Sequence, residues 1–214
     1  MTPYPKIESV FFREEKTHKF IDGRWRLPEF EYLQNAEWIC EEKVDGTNIR
    51  VMWDGYKVRF GGKTDNAQLY TPLLDRLFEM FPPTKMQEVF SFDVKNIIKT
   101  PTEICLYGEG YGAKIQKGGG WYLSDGVDFV LFDVKVDSWW LKRGDVEDVA
   151  MRLALHSAPV RLRGTLHEAI DFTRSGFESQ WGPFPAEGLV CRPAVDLFAR
   201  NCDRIITKMK TKDW

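Results

Sequence analysis

The sequence predicts an α+β fold built on antiparallel sheets. Two observations carry this: β-rich runs outnumber helical patterns, and most of those runs are joined by glycine-containing turns.

The elements follow in chain order. Residues 49–53 and 56–60 flank Asp54-Gly55, a pair that tolerates positive φ, so they read as a hairpin. Over 71–81, Leu73, Leu74, Leu77, Phe78 and Phe81 recur at helical spacing until Pro82-Pro83 stops the helix. A β-rich run at 104–107 ends at Gly108, and a longer one covers 129–136. Between them, the triple glycine Gly118 to Gly120 reads as a mobile loop. A second helix is expected over 145–156, with Asp145 as an acidic cap and Val146, Val149 and Leu153 on one stripe. Thr165-Leu166-His167-Glu168 is a capping-box pattern opening a third helix towards Arg174. Runs at 188–191 and 205–209 complete the strands.

The 214 residues suit one compact domain, and no repeat or linker divides them. An aromatic content of 14% with a net charge of only −2 excludes a disordered chain. With 30 basic against 32 acidic residues, a polyanion has to be met by a local basic patch. Cys40, Cys105, Cys191 and Cys202 lack C-x-x-C spacing and read as reduced thiols packed as small hydrophobes. His18, His156 and His167 are isolated, without metal-ligand spacing. No run approaches the roughly 18 apolar residues of a membrane span, and no secretory signal opens the chain. A cytoplasmic protein with no membrane partner is expected.

The most informative segment is Glu41-Glu42-Lys43-Val44-Asp45-Gly46-Thr47-Asn48. Alone, its K-x-D-G core is a weak signal that a solvated turn lysine would equally give. Five further segments follow it in order. Tyr107-Gly108-Glu109-Gly110 comes first, with Ile115-Gln116-Lys117-Gly118 shortly after. Then come Phe129-Val130-Leu131-Phe132-Asp133-Val134, Glu187-Gly188-Leu189-Val190-Cys191-Arg192 and Ile206-Thr207-Lys208-Met209-Lys210. Each puts one or two charges at the edge of a β-rich run, where charges usually face water.

Taken together, the array resembles the covalent nucleotidyltransferases: ATP-dependent RNA ligases, DNA ligases and mRNA capping enzymes. It is most similar to RNA ligases of the phage RNA ligase 2 type, in which Asn follows Gly-Thr as Asn48 does here. The resemblance spans about residues 38 to 210. It implies a nucleotidyltransferase (ATP-grasp-like ligase) fold, with two antiparallel sheets flanking a nucleotide cleft and peripheral helices. The domain would occupy 1–214 as a single adenylyltransferase unit, with no appended OB-fold or C-terminal domain.

The resemblance also implies the chemistry. The Lys43 amine would attack the α-phosphate of ATP, giving a lysyl-AMP phosphoramidate and pyrophosphate. Neutralising an unperturbed lysine of pKa about 10.4 costs roughly 4.6 kcal/mol at pH 7. Lys208 and Lys210, with a divalent metal, would lower that cost and stabilise the phosphate in flight. Glu187 would hold the cation, Mg²⁺ or Mn²⁺, as an oxygen ligand. Glu109 would accept hydrogen bonds from the ribose, and Phe132, or less favourably Phe129, would stack on adenine. The Glu42 backbone would meet the adenine edge, and Asn48 the phosphate or the metal's waters.

Two departures stand out. Where the family carries an arginine for the ribose, this chain has Lys63 in Gly61-Gly62-Lys63-Thr64, which loses the bidentate fork; Arg59 is the alternative. That Gly-Lys-Thr is no P-loop, because position 57 is Lys where the pattern needs Gly. The sequence also stops at Trp214, soon after Lys210, which leaves the RNA grip to an accessory protein or domain or to surface residues. Lys114, Lys117, Arg192, Arg200 and Arg204 are the candidate phosphate contacts, although solvated charge is the simpler reading of each. Trp139-Trp140 could stack on bases, or anchor the helix after them. The expected activity is joining of RNA 5′-phosphate and 3′-OH ends, as in RNA repair. A small DNA ligase, a sealer of nicks in hybrids, and a non-catalytic nucleotide- or RNA-binding module are the alternatives.

Overall fold

The computed structural model describes residues 3–94, 97–99 and 103–214. In chain order the first elements are β1 (Glu8–Ser9), β2 (Phe11–Arg13), β3 (Phe20–Trp25), α1 (Pro28–Tyr32) and β4 (Trp38–Glu42). Next come β5 (Thr47–Trp53), β6 (Val58–Gly61), α2 (Thr71–Met80), α3 (Pro83–Phe90), β7 (Phe92–Val94), β8 (Ile97–Lys99) and β9 (Ile104–Gly112). Then follow α4 (Gly119–Tyr122), β10 (Val127–Val136), β11 (Trp139–Trp140), α5 (Arg143–Arg152) and β12 (His156–Ser157). The last are β13 (Val160–Gly164), α6 (Leu166–Ser175), β14 (Gly188–Pro193) and β15 (Thr207–Lys210). This is the expected α+β architecture, with largely antiparallel sheets and few helices.

The chain divides into two compact units, one of Met1–Tyr4 and Asp45–Ser157, the other of Pro5–Val44 and Ala158–Trp214. The first holds a six-stranded sheet in the order β11-β10-β9-β5-β6, with β12 added parallel to β10. One face of this sheet is the core: Ile49, Val51 and Trp53 of β5, Leu106 of β9, and Phe129, Leu131 and Val134 of β10. Leu73 and Leu77 of α2, Met86 of α3, and Val146 and Leu153 around α5 cover that face. Burying such side chains contributes about 1.5–3 kcal/mol each, which is what holds helices this short in place.

The second unit holds a five-stranded sheet in the order β1-β15-β14-β4-β13. Alternation along β4 sends Trp38 and Cys40 into a core with Leu189, Cys191 and Met209, and α6 closes it with Leu166, Ala169 and Ile170. The Thr165–Glu168 capping box is present as read: the Glu168 amide donates to the Thr165 hydroxyl at 3.2 Å, and Thr165 N–H donates to the Glu168 carboxylate at 2.7 Å.

Several boundaries differ from the sequence reading. The hairpin loop has four residues, because Asp54 accepts from the amides of both Tyr56 and Lys57 and delays the return strand to Val58. Pro82-Pro83 does end α2, yet Pro83 also starts α3, as a first helical turn allows. Asp145 is not a cap. Helix α5 begins at Arg143, a buried side chain tied to Glu147 at 2.9 Å, and His156 lies beyond it in a strand. The triple glycine is no loop either, since Gly119 and Gly120 open the turn α4 with Gly119 buried. Cys40, Cys105 and Cys191 are buried thiols as expected, whereas Cys202 is exposed. Burial raises the thiol pKa of Cys105, and that of Cys191 well above the ordinary range. Among the described residues, no helix is long and apolar enough to cross a membrane.

Candidate active site

Strand order within the second unit brings Lys43, Glu187 and Lys210 together. β14 pairs with both β4 and β15, and Gly188 stands opposite Lys210. Just past β4, the Lys43 amide donates to the Gly188 carbonyl at 2.9 Å, extending the ladder. Glu187, one residue before β14, therefore lies between the two lysines. Lys43 Nζ donates to Glu187 Oε2 at 2.6 Å, and Lys210 Nζ lies 2.5 Å from Oε1. All three side chains stay 13–24% exposed, so the cluster is partly desolvated but reachable. Lys208, two residues before Lys210, shares its sheet face, while Thr207 and Met209 turn to the other, buried side.

Gly188 is what lets this cluster close up. A Cβ there would sit 2.1 Å from the Met209 carbonyl oxygen and 2.7 Å from Lys210 Cα, both backbone atoms. Gly46 meets the same constraint in the first unit, where a Cβ would lie 2.2 Å from Gly110 O. Both motif glycines are thus explained by close approach of a neighbouring strand.

Glu42 has a different fate from its neighbour. It continues the inward row of Trp38 and Cys40, so its carboxylate is buried and taken up by local donors. The Ser179 hydroxyl donates at 2.5 Å, the Gln180 amide at 2.9 Å and Arg161 at 3.0 Å. Its own amide donates to Pro159 O, so the side chain and N–H of Glu42 serve the fold. On the opposite face, Glu41 pairs with Arg192, both nearly buried.

In the first unit, the sheet face away from the core collects the remaining expected residues. Asn48 stands opposite Glu109, and Arg50 opposite Tyr107. Asn48 Oδ1 is buried with no hydrogen-bond donor, an unmet acceptor beside a carboxylate. Phe132 lies at a break in register, because Leu131 faces Gly108 and Asp133 faces Tyr107. This bulge turns Phe132 to the non-core face. Phe129 is fully buried against Phe81, which removes it as a stacking candidate.

Lys63 is exposed in the loop after β6. Arg50, fully buried, ties that loop down by donating to Gly62 O at 2.9 Å and to Asp65 at 2.7 Å. No helix begins there, in keeping with the rejected P-loop. Arg59 lies 3.7 Å from Asp54 at the hairpin base instead. Of the phosphate candidates, Lys114, Lys117 and Arg200 are exposed; Arg192 and Arg204 are committed to Glu41 and Asp196. Trp140 packs on Tyr4 and Tyr107, and Trp139 is 75% exposed.

Sequence reasoning missed Arg50, Tyr4 and Arg161. Arg50 left one trace, a charge two residues after Asn48 in the middle of an apolar strand. Tyr4 and Arg161 left none, since their partners lie 129 and 119 residues away.

A family model described as RNA ligase matches residues 36–210. Among solved structures, the Naegleria gruberi RNA ligase with pyrophosphate superposes with a TM-score of 0.67 at 15% identity, covering 98% of this chain and 57% of that one. A variant of that enzyme with AMP and manganese gives 0.67 at 15% identity, over 97% and 55% of the two chains. A variant with ATP and manganese gives 0.65 at 16%, over 99% and 61%. At this identity the likeness is one of fold, and the chain spans less than two thirds of the length of these relatives. Comparison with curated proteins returns no match.

Proposed function

Because the chain belongs to the RNA ligase family, we propose that it is an ATP-dependent RNA ligase working through a lysyl-AMP intermediate in the cytoplasm. The observation that carries this reading is the Lys43–Glu187–Lys210 cluster: an amine and a second cation on the two oxygens of one carboxylate, 2.6 and 2.5 Å away. Two cations around one carboxylate, partly withdrawn from water, suit the handling of a phosphate better than the holding of a surface.

In the proposed reaction, the Lys43 amine leaves its ion pair, loses a proton and attacks the α-phosphorus of ATP. A P–N bond forms, and the P–O bond to pyrophosphate breaks. The RNA 5′-phosphate then attacks the adenylate phosphorus, the P–N bond breaks, and the amine returns to Lys43. Finally the RNA 3′-OH attacks the activated 5′-phosphorus, joining the ends and releasing AMP. Lys208 and Lys210 steady the negative charge on the phosphoryl oxygens. Glu109 accepts from the ribose hydroxyls, Phe132 stacks on adenine, and Asn48 meets the phosphate through its amide N–H or the metal's waters through its unmet Oδ1. Lys63 replaces the bidentate arginine with a single ammonium on the Arg50-anchored loop. The Glu42 carbonyl is the part of that residue left to face the adenine edge. The two compact units together make up the single adenylyltransferase domain.

Once the Lys43 amine leaves its ion pair and frees Oε2, Glu187 also fits a divalent cation, Mg²⁺ or Mn²⁺. Among the described residues no three or more His, Cys, Asp or Glu are grouped so as to hold a metal ion, so a cation on Glu187 would keep most of its water, as Mg²⁺ prefers. When bound, it supplies positive charge that favours a neutral amine and a charged phosphate. The relatives with manganese and ATP or AMP support this choice of cofactors. RNA ends are the proposed substrate, and exposed Lys114, Lys117 and Arg200 are the groups we propose for its backbone, with or without an accessory protein.

The test supplies nicked duplexes with RNA or DNA strands, ATP and Mg²⁺. Sealing of RNA nicks that is lost in Lys43→Ala supports the proposal. Sealing of DNA alone, or nucleotide binding with no covalent adduct, would replace it with one of the alternatives.

A further inference from the structure

One aromatic residue packed on the non-core face of the six-stranded sheet, Tyr4, takes no part in the proposed steps. Phe132 is the extra residue of the β10 bulge, so the hydrogen-bonded ladder does not fix its direction. Side chains have to do that. The ring of Tyr4 meets Phe132 edge-on, with centroids 5.1 Å apart and planes at 77°. Tyr4 comes from an N-terminal stretch, 3–7, that belongs to no strand or helix. It is nevertheless held from three further directions. Its hydroxyl donates to Asp133 Oδ2 at 2.9 Å, and its ring lies 5.0 Å from Tyr107 and 5.7 Å from Trp140. Asp133 is fully buried and also accepts from the Val134 amide at 3.2 Å. A carboxylate buried this completely needs donors, and the tyrosine hydroxyl is one of them.

We infer that Tyr4 is a positioning residue: anchored on Asp133, it sets the ring of Phe132 and thereby the affinity for the purine base of the nucleotide. The inference rests on Phe132 being the stacking ring. A T-shaped contact leaves at least one face of Phe132 uncovered by Tyr4, so Tyr4 can aim that face without touching the nucleotide itself. The arrangement also makes the N-terminal segment part of the nucleotide machinery, although it precedes the family match at residue 36.

The test measures AMP-adduct formation against ATP concentration, together with Tm, for Tyr4→Ala, Tyr4→Phe, Phe132→Leu and the Tyr4→Ala/Phe132→Leu double variant. Tyr4→Ala is expected to raise the KM for ATP roughly three- to tenfold at near-constant kcat, the size of one lost aromatic contact. Tyr4→Phe keeps the ring but loses the Asp133 anchor, and should raise KM about two- to fivefold, the scale of a single net hydrogen bond. The double variant should be no worse than Phe132→Leu alone. A wild-type KM in Tyr4→Ala, or effects that multiply fully in the double variant, would overturn the inference while leaving Phe132 as the stacking ring. A wild-type KM in Phe132→Leu would instead remove the stacking assignment itself, and Tyr4's role with it. If Tyr4→Ala does not fold, Tyr4→Phe decides, and an unchanged KM there refutes the anchor.

Discussion

Replacing Glu42 by alanine should be among the most damaging single changes to stability in the second unit. The carboxylate is buried, and three donors depend on it: Arg161, the Ser179 hydroxyl and the Gln180 amide. Arg161 has 18% of its side chain exposed and gains no other carboxylate when Glu42 is lost among the contacts seen. Removing one partner of a buried pair typically costs about 3–5 kcal/mol, because the other charge is left uncompensated. For a chain of this length about 4 kcal/mol corresponds to a fall in Tm of roughly 8–16 °C. Glu42→Gln keeps the shape and some of the hydrogen bonds, so it should lose roughly half as much. Lys6→Ala is the control, since its partner Glu8 is a surface contact with Lys6 73% exposed, and exposed pairs contribute about 0–1 kcal/mol. Thermal and urea melts of the four proteins provide the readout. A Glu42→Ala loss no larger than that of Lys6→Ala would refute the view that this carboxylate fastens β4, and with it the position of Lys43.

Two more expectations follow from the geometry. Gly188→Ala places a methyl against the Met209 and Lys210 backbone, so it should cost about 1–3 kcal/mol by overpacking and also suppress AMP-adduct formation by shifting Lys210; a stable, fully active variant would contradict the close approach. Glu168 is held below the usual carboxylate range by the Thr165 amide and then by the Thr165 hydroxyl. A depressed folded value means the stabilisation is present above the unfolded carboxylate range and is lost as pH falls through the folded value. The Tm gap between wild type and Glu168→Gln should therefore be present at neutral pH and close in acid, and a gap that widens in acid would reverse the assignment.

What the sequence made legible was local chemistry. The Thr165–Glu168 box and the Asp54-Gly55 hairpin were readable because their donors and acceptors lie within three residues of one another. Proline was half readable: Pro82-Pro83 announced the end of α2 but not that Pro83 would open α3. Asp145 misled because the start of α5 is set by tertiary contacts of Arg143, including one to Ser157 at 3.3 Å, and not by a capping side chain. In the site, Lys43, Glu187 and Lys210 could be picked out by motif order, and the sheet registers of β4, β14 and β15 account for their meeting. The commitments of Glu42, Arg192 and Arg204 could not be seen, because an isolated charge in a β-rich run looks the same whether it faces water or a buried partner. Glycines 118–120 failed for a related reason, as composition suggested mobility where Gly119 is buried beneath the backbone of Gly112.

The central claim is that Lys43 becomes covalently bonded to AMP. Incubating the protein with ATP and Mg²⁺, digesting it and weighing the peptides tests this most directly. The expected result is one adenylate mass on the peptide containing Lys43, absent from Lys43→Ala. An adduct on a different residue, or none on the folded protein with bound ATP, would contradict it.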